Sequence, residues 1–269
     1  MTLSLIGFVG ACASQVGRLP AAAPEAQAYL DDWKRSGGGT YVGIGIRGNG
    51  EEDVFRNNAK RSESDWYRDT ATAGDMLETF EQYTKAKGCI SKVMMAGHGW
   101  GDARRAGGPG FPLASPGAGF YLDRDTVISN RVSVGPAARY MKHLEEKING
   151  SRGFAGLGRR GPSIKFCDRC LIEVHACNVS PKFTATLASV TGCMTVAGTG
   201  QVAPRYANDN TGRTDHIWSS SPESSGSDCK TMRGDACNAD FFRYTPVRGV
   251  SGATERVVEE RLGRYYTAQ

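Results

Sequence analysis

Four short apolar runs constrain this chain more than any other feature: TYVGIGI (40–46, with a glycine exit), CISKVMMA (89–96, running into a glycine-rich turn), CLIEVH (170–175) and CMTVAGTGQV (193–202). Each is a short apolar run, the first of them β-rich, so each reads as a strand. Helical patterns lie between them. TAGDMLETFEQYTKAKG puts Met76, Leu77, Phe80 and Tyr83 on one face, with Gly88 as the stop. GPAARYMKHLEEKI opens on Pro136 and carries Tyr140, Met141, Leu144 and Ile148 along one stripe. SPKFTATLASVTG has Ser180 as N-cap, Pro181 at N1, Gly192 as the C′ residue and Phe183, Leu187 and Val190 as its buried face. A further short helix, EAQAYLDDWKR, follows Pro24. Strands alternating with helices specify an α/β fold, a mainly parallel sheet with helices on both faces. In such sheets ligands and chemistry collect beyond the carboxyl ends of the strands.

The remaining segments carry weaker signals. FYLDRDTV reads as a short strand and FFRYTPV as a late edge strand. ATERVVEERLGRYY reads as a C-terminal helix. The stretch 49–71, the Gly/Pro-rich stretch 100–119, the basic stretch 149–163 and residues 203–240 read as loops. No internal repeat is visible. At 269 residues, 39% of them hydrophobic and 23% charged, the chain has enough apolar material for a self-sufficient core. The formal net charge of +5 is scattered, without a stripe of basic and aromatic residues, so no nucleic-acid partner is expected.

The N-terminal apolar run from Leu3 to Cys12 is too short to span a membrane, and no other segment qualifies. Two readings of it stay open. It resembles a secretory apolar region, with VGAC loosely like a lipoprotein cleavage box, which would make the protein secreted or periplasmic; yet no Lys or Arg precedes it. Alternatively it is a first strand or buried segment. Residues 1–39 are accordingly set apart from a main domain at 40–269.

Eight cysteines, Cys12, Cys89, Cys167, Cys170, Cys177, Cys193, Cys229 and Cys237, invite pairing, but spacing alone does not give connectivity. Cys229 and Cys237 flank the polar loop CKTMRGDAC and are the best local disulfide candidate outside the cytosol. The CDRC pair, Cys167 and Cys170, precedes a strand, whereas redox CxxC motifs open a helix, so a redox role is disfavoured. A zinc site would need a second regularly spaced pair, so no metal is expected, and no sequence feature calls for a cofactor. GPGFPLASPGAG lacks the Gly-Lys-Ser/Thr of a phosphate loop. His143 reads as a surface helix residue, and His216 has only its residue type to recommend it.

The carboxyl-end rule singles out His98, just past VMMA, and Cys177, just past LIEVH. If their strands are parallel and adjacent, both residues leave the same sheet edge. A cysteine becomes an efficient nucleophile beside a base or with a lowered pKa. The helix that begins at Pro181 would favour a thiolate through its N-terminal dipole, and Gly97 and Gly99 allow a sharp turn and close approach of backbone to substrate. Packing residue and disulfide half remain open readings of Cys177.

KVMMAGHGW resembles the hydrophobic-strand His-Gly block of the caspase-like (clan CD) cysteine peptidases, and CLIEVHACNVS resembles their second block, apolar residues followed by Ala-Cys. The order His then Cys agrees, and ACNVS…LASVTGCMTVAGTG is similar in pattern to a bacterial caspase-like group. The resemblance covers about residues 40–202. It implies a three-layer α/β/α sandwich and hydrolysis of a protein or peptide substrate by a Cys-His dyad, used for self-processing or as an effector or toxin protease. Cys177 would attack the carbonyl, His98 would protonate the leaving amine, and the backbone N–H of Gly99 would stabilise the oxyanion. His175, Asp102 and Thr199 are the substrate-pocket candidates. Caspases have Gln-Ala-Cys where this chain has His175-Ala176-Cys177, so His175 either lines the pocket, competes as base, or is a structural histidine held by a neighbour. The alternative function is a non-proteolytic effector or partner-binding domain on the same fold, with an inhibitory or immunity protein as partner.

Overall fold

The structure, a computed structural model, describes residues 24–36, 41–46, 66–70, 73–96, 136–150, 161–175, 179, 181–199, 201–205, 217–221, 240–250, 252–263 and 265–267. Within them lie four helices: α1 (Pro24–Arg35), α2 (Ala73–Lys87), α3 (Pro136–Asn149) and α4 (Pro181–Thr191). The strands are β1 (Tyr41–Ile46), β2 (Trp66–Thr70), β3 (Ile90–Ala96), β4 (Phe166–His175), β5 (Met194–Gly198), β6 (Gln201–Arg205), β7 (Ile217–Ser221), β8 (Phe241–Arg248), β9 (Thr254–Gly263) and β10 (Tyr265–Thr267).

The four apolar runs and the four helical patterns form as expected, and the fold is α/β. A seven-stranded sheet runs in the order β2-β1-β3-β4-β5-β8-β9. The first five are mutually parallel, whereas β8 and β9 are antiparallel, so the sheet is mixed. Strand order reverses between β1 and β3, the place where open sheets of this order leave a crevice. A second sheet, β10-β7-β6, is antiparallel.

Side-chain alternation along the central strands sorts the core onto two faces. Val93, Met95, Cys170, Ile172 and Val174 pack with Met76, Leu77, Phe80 and Tyr83 of α2, Leu144 of α3 and Leu187 of α4. On the other face Met94, Leu171, Met194 and Val196 pack with Ala26, Tyr29, Leu30 and Trp33 of α1, and with Phe241, Leu262 and Tyr266. The i, i+3, i+4, i+7 spacing of the α1 residues gives that helix one apolar stripe, and the stripe is spent on the sheet. Its Tyr29 hydroxyl donates to the Cys170 carbonyl at 3.0 Å and accepts from the Cys170 and Met194 N–H groups at 3.1 and 3.3 Å, which ties β4 to β5. Helices α2 and α4 stop at Gly88 and Gly192, whose φ values of 90° and 67° suit glycine as the C′ residue.

Several expectations are corrected. The segment 254–267 is not a helix but β9 and β10. Its Glu and Arg residues favour helix only weakly, and the ladder with β8 outweighs that preference. Arg243 of β8 donates to Glu260 of β9 at 2.6 Å, and Tyr244 pairs in register with Glu259. Strand β9 takes the edge and shows Glu255, Arg256, Glu259 and Arg261 to solvent, a charged edge that resists pairing with other chains. FFRYTPV is therefore interior, with Phe241 through Pro246 buried. Strand β2 lies in a stretch read as loop; the run CMTVAGTGQV is divided between β5 and the start of β6, and the rest of β6 and all of β7 lie in the stretch 203–240 read as loop. The run 1–23 and the expected strand at 120–127 lie outside the described residues.

Two disulfides join the strands at their amino ends. Cys89, just before β3, is bonded to Cys167 in β4, with Cα atoms 5.0 Å apart. Cys170 in β4 is bonded to Cys193, just before β5, with Cα atoms 4.7 Å apart. The two CDRC cysteines thus take separate partners, which removes both the redox and the zinc reading of that motif. Cys229 and Cys237 lie outside the described residues.

Candidate active site at the carboxyl edge of the sheet

Strands β3 and β4 are parallel and adjacent, and their last paired residues are Ala96 and His175. The condition set by the sequence for His98 and Cys177 is therefore met at the level of the strands: each is the second residue after that terminal pair. His98, Gly99, Asp102 and Cys177 themselves lie outside the described residues. The chain around Cys177 is anchored on both sides. His175 closes the β3–β4 ladder, and the Val179 N–H donates to the Gly198 carbonyl at 3.1 Å, at the end of β5. Val179 is buried, and α4 begins two residues later.

Thr199 is buried immediately past β5. Its N–H donates to the Asp240 carbonyl at 2.9 Å. Its hydroxyl donates to the same carbonyl at 3.1 Å and accepts from the Asp240 N–H at 3.3 Å. The hydroxyl thus fastens the end of β5 to the start of β8. Asp240, also buried, accepts from Arg261 Nε at 2.7 Å.

His175 is 2% exposed. It shares the α1 face of β4 with Leu171 and Glu173, and it is the end of a charged cluster that the sequence reading missed. The Glu173 carboxylate is fully buried in the middle of the sheet. Lys92 Nζ of β3 lies 3.2 Å from its Oε2. The Tyr266 hydroxyl of β10 donates to its Oε1 at 2.6 Å. His175 Nε2 is 3.7 Å from Oε2, an electrostatic contact longer than a hydrogen bond. The imidazole lies against the Tyr266 ring, with centroids 6.4 Å apart. Burial pushes the Glu173 carboxyl up, but the Lys92 ammonium, the His175 imidazole and the Tyr266 hydroxyl outweigh it and hold it at about 2. Burial first, and the neighbouring carboxylate second, push the Tyr266 phenol well above its ordinary value. The signal was legible: Lys92 and Glu173 each interrupt an otherwise apolar run, and buried charges are rare unless paired.

His143 is exposed on α3, as expected. Among the described residues no group of three or more His, Cys, Asp or Glu side chains could hold a metal ion, and no helix is long and apolar enough to cross a membrane. No family model, curated protein or solved structure matches the chain.

Proposed function

We propose that the chain is a cysteine endopeptidase on a caspase-like three-layer α/β/α architecture, with Cys177 and His98 as its dyad. The observation that carries the reading is the terminal pair Ala96–His175 on adjacent parallel strands, two residues short of His98 and Cys177 respectively. Two chemically complementary groups thus follow neighbouring strands at the same level, beside the crevice where strand order reverses. The Cys177 thiolate attacks the scissile carbonyl carbon and forms the C–S bond. The Gly99 N–H stabilises the oxyanion, and His98 gives a proton to the leaving amine as the C–N bond breaks. Water then hydrolyses the thioester and regenerates the thiol. The two disulfides favour action in a compartment where disulfides persist, a secreted or periplasmic setting.

The test is cleavage of a peptide library, and of the chain itself, by wild type, Cys177→Ala and His98→Ala. The reductant is titrated to keep Cys177 reduced while both disulfides survive. Cleavage is expected from wild type alone. Cleavage that persists undiminished in Cys177→Ala, or its absence from every wild-type sample, sinks the reading, and a partner captured equally by both forms would favour a binding role.

A further inference from the structure

The cluster that ends on His175 is costly to build. Moving a carboxylate and an ammonium out of water carries a large desolvation cost, and apolar side chains of similar volume often do as well. Yet Glu173 and Lys92 sit in the two central strands that lead to the proposed dyad. Among the described residues, Glu173 of its own strand and Tyr266 of β10 lie against His175, Lys92 of β3 pairs with the same Glu173 oxygen, and Arg243 of β8 acts on Tyr266 in turn. Two peptide links separate residues 175 and 177, so their Cα atoms are at most about 7 Å apart whatever the local conformation.

We propose that His175 is a positioning residue for Cys177: Glu173, held by Lys92 and Tyr266, fixes the imidazole and favours its protonated form, and that imidazolium favours the Cys177 thiolate. The inference rests on Cys177 being the nucleophile. Its charge balance is simple. Lys92 and Glu173 offset each other, so a protonated His175 leaves the cluster with one positive charge. A nearby thiolate neutralises it. The thiol's proton goes to solvent, and the imidazolium lowers the pH at which it leaves, so the two titrations are coupled. His175 is buried and tied to its strand by the ladder, which leaves His98 to protonate the leaving amine. The Gln of the caspase block cannot carry this charge, so the difference at position 175 acquires a chemical meaning.

The experiment follows alkylation of Cys177 by iodoacetamide against pH, with the Cys177 peptide quantified by mass spectrometry. The samples are disulfide-intact wild type, His175→Gln, Glu173→Gln and His98→Ala, each checked for native near-UV circular dichroism. The wild-type midpoint is expected below the ordinary thiol value of about 8.5. His175→Gln and Glu173→Gln are expected to raise it by about 1 to 3 pH units, as loss of a charge at this range does, while His98→Ala moves it less. His175→Gln leaves the Lys92–Glu173 pair intact and decides the matter alone if Glu173→Gln does not fold. A wild-type midpoint at the ordinary value, or one unmoved by His175→Gln, overturns the inference. A depressed midpoint that moves with His175, in a protein that cleaves no peptide, sustains it and sinks the peptidase reading. Cleavage that needs Cys177, with a midpoint indifferent to His175, does the reverse.

Discussion

Lys92 and Glu173 meet diagonally across the β3–β4 pairing, Nζ 3.2 Å from Oε2, with side chains 4% and 0% exposed. An ion pair so deep is sensitive to loss of either member, because the survivor is left as an uncompensated charge. Lys92→Met and Glu173→Gln are each expected to cost roughly 3 to 5 kcal/mol of folding stability. The double variant is expected to cost less than the sum of the two. Urea unfolding of the four proteins in a double-mutant cycle measures the coupling; additive losses would show that the pair does not act as a unit.

The same carboxylate makes stability depend on acid. Its folded pKa, about 2, lies below the ordinary 4.5. Its contribution is therefore fully present above about 4.5 and is lost as the pH falls through about 2. A displacement of that size corresponds to roughly 3 kcal/mol. Thermal unfolding followed from pH 6 down to pH 2 is expected to show wild type losing stability through this window and Glu173→Gln losing less. Parallel curves for the two would assign the acid sensitivity to other groups.

The disulfides are expected to contribute unequally. Closing loops of 78 and 23 residues restricts the unfolded chain by roughly 4 and 3 kcal/mol respectively. Cys89→Ser/Cys167→Ser should therefore lower the melting temperature more than Cys170→Ser/Cys193→Ser on chain entropy alone. Cys170 and Cys193 are buried where Cys89 and Cys167 are half-buried, so repacking adds to the cost of losing the shorter loop. Peptide mapping without reduction checks the pairing first; any bond that joins Cys167 to Cys170 would contradict the assignment.

Thr199 offers a direct contrast between pocket and scaffold roles. Its hydroxyl is engaged with the Asp240 backbone on both its donor and its acceptor side. Thr199→Val keeps the shape and strands the Asp240 N–H in a buried setting, while the Asp240 carbonyl keeps the Thr199 N–H, at an expected cost of about 1 to 3 kcal/mol. Thr199→Ser keeps the hydroxyl and should recover most of that. If peptidase activity is established, KM is expected to be the same for wild type and Thr199→Ser; a marked change in KM without a stability loss in Thr199→Val would support the pocket role.

What the sequence determined by itself was local. The apolar runs that became β1, β3, the end of β4 and β5, the helix stripes and the stops at Gly88 and Gly192 depend on period and backbone freedom, and both are written residue by residue. Alternation of the elements also carried the α/β class. Tertiary structure decided what needs distant partners. Segment 254–263 became a strand because β8 offered it a ladder, against its helical composition. Cys167 and Cys170 found Cys89 and Cys193 because parallel pairing brings the amino ends of β3, β4 and β5 side by side. Lys92 and Glu173, two isolated charges in apolar runs, became a pair for the same reason. At CLIEVHACNVS, sequence position alone singled out Cys177, whereas only the packing of three strands around Glu173 set His175 beside a buried, paired carboxylate. Pairing register and burial are properties of the assembled sheet, and no single strand contains them.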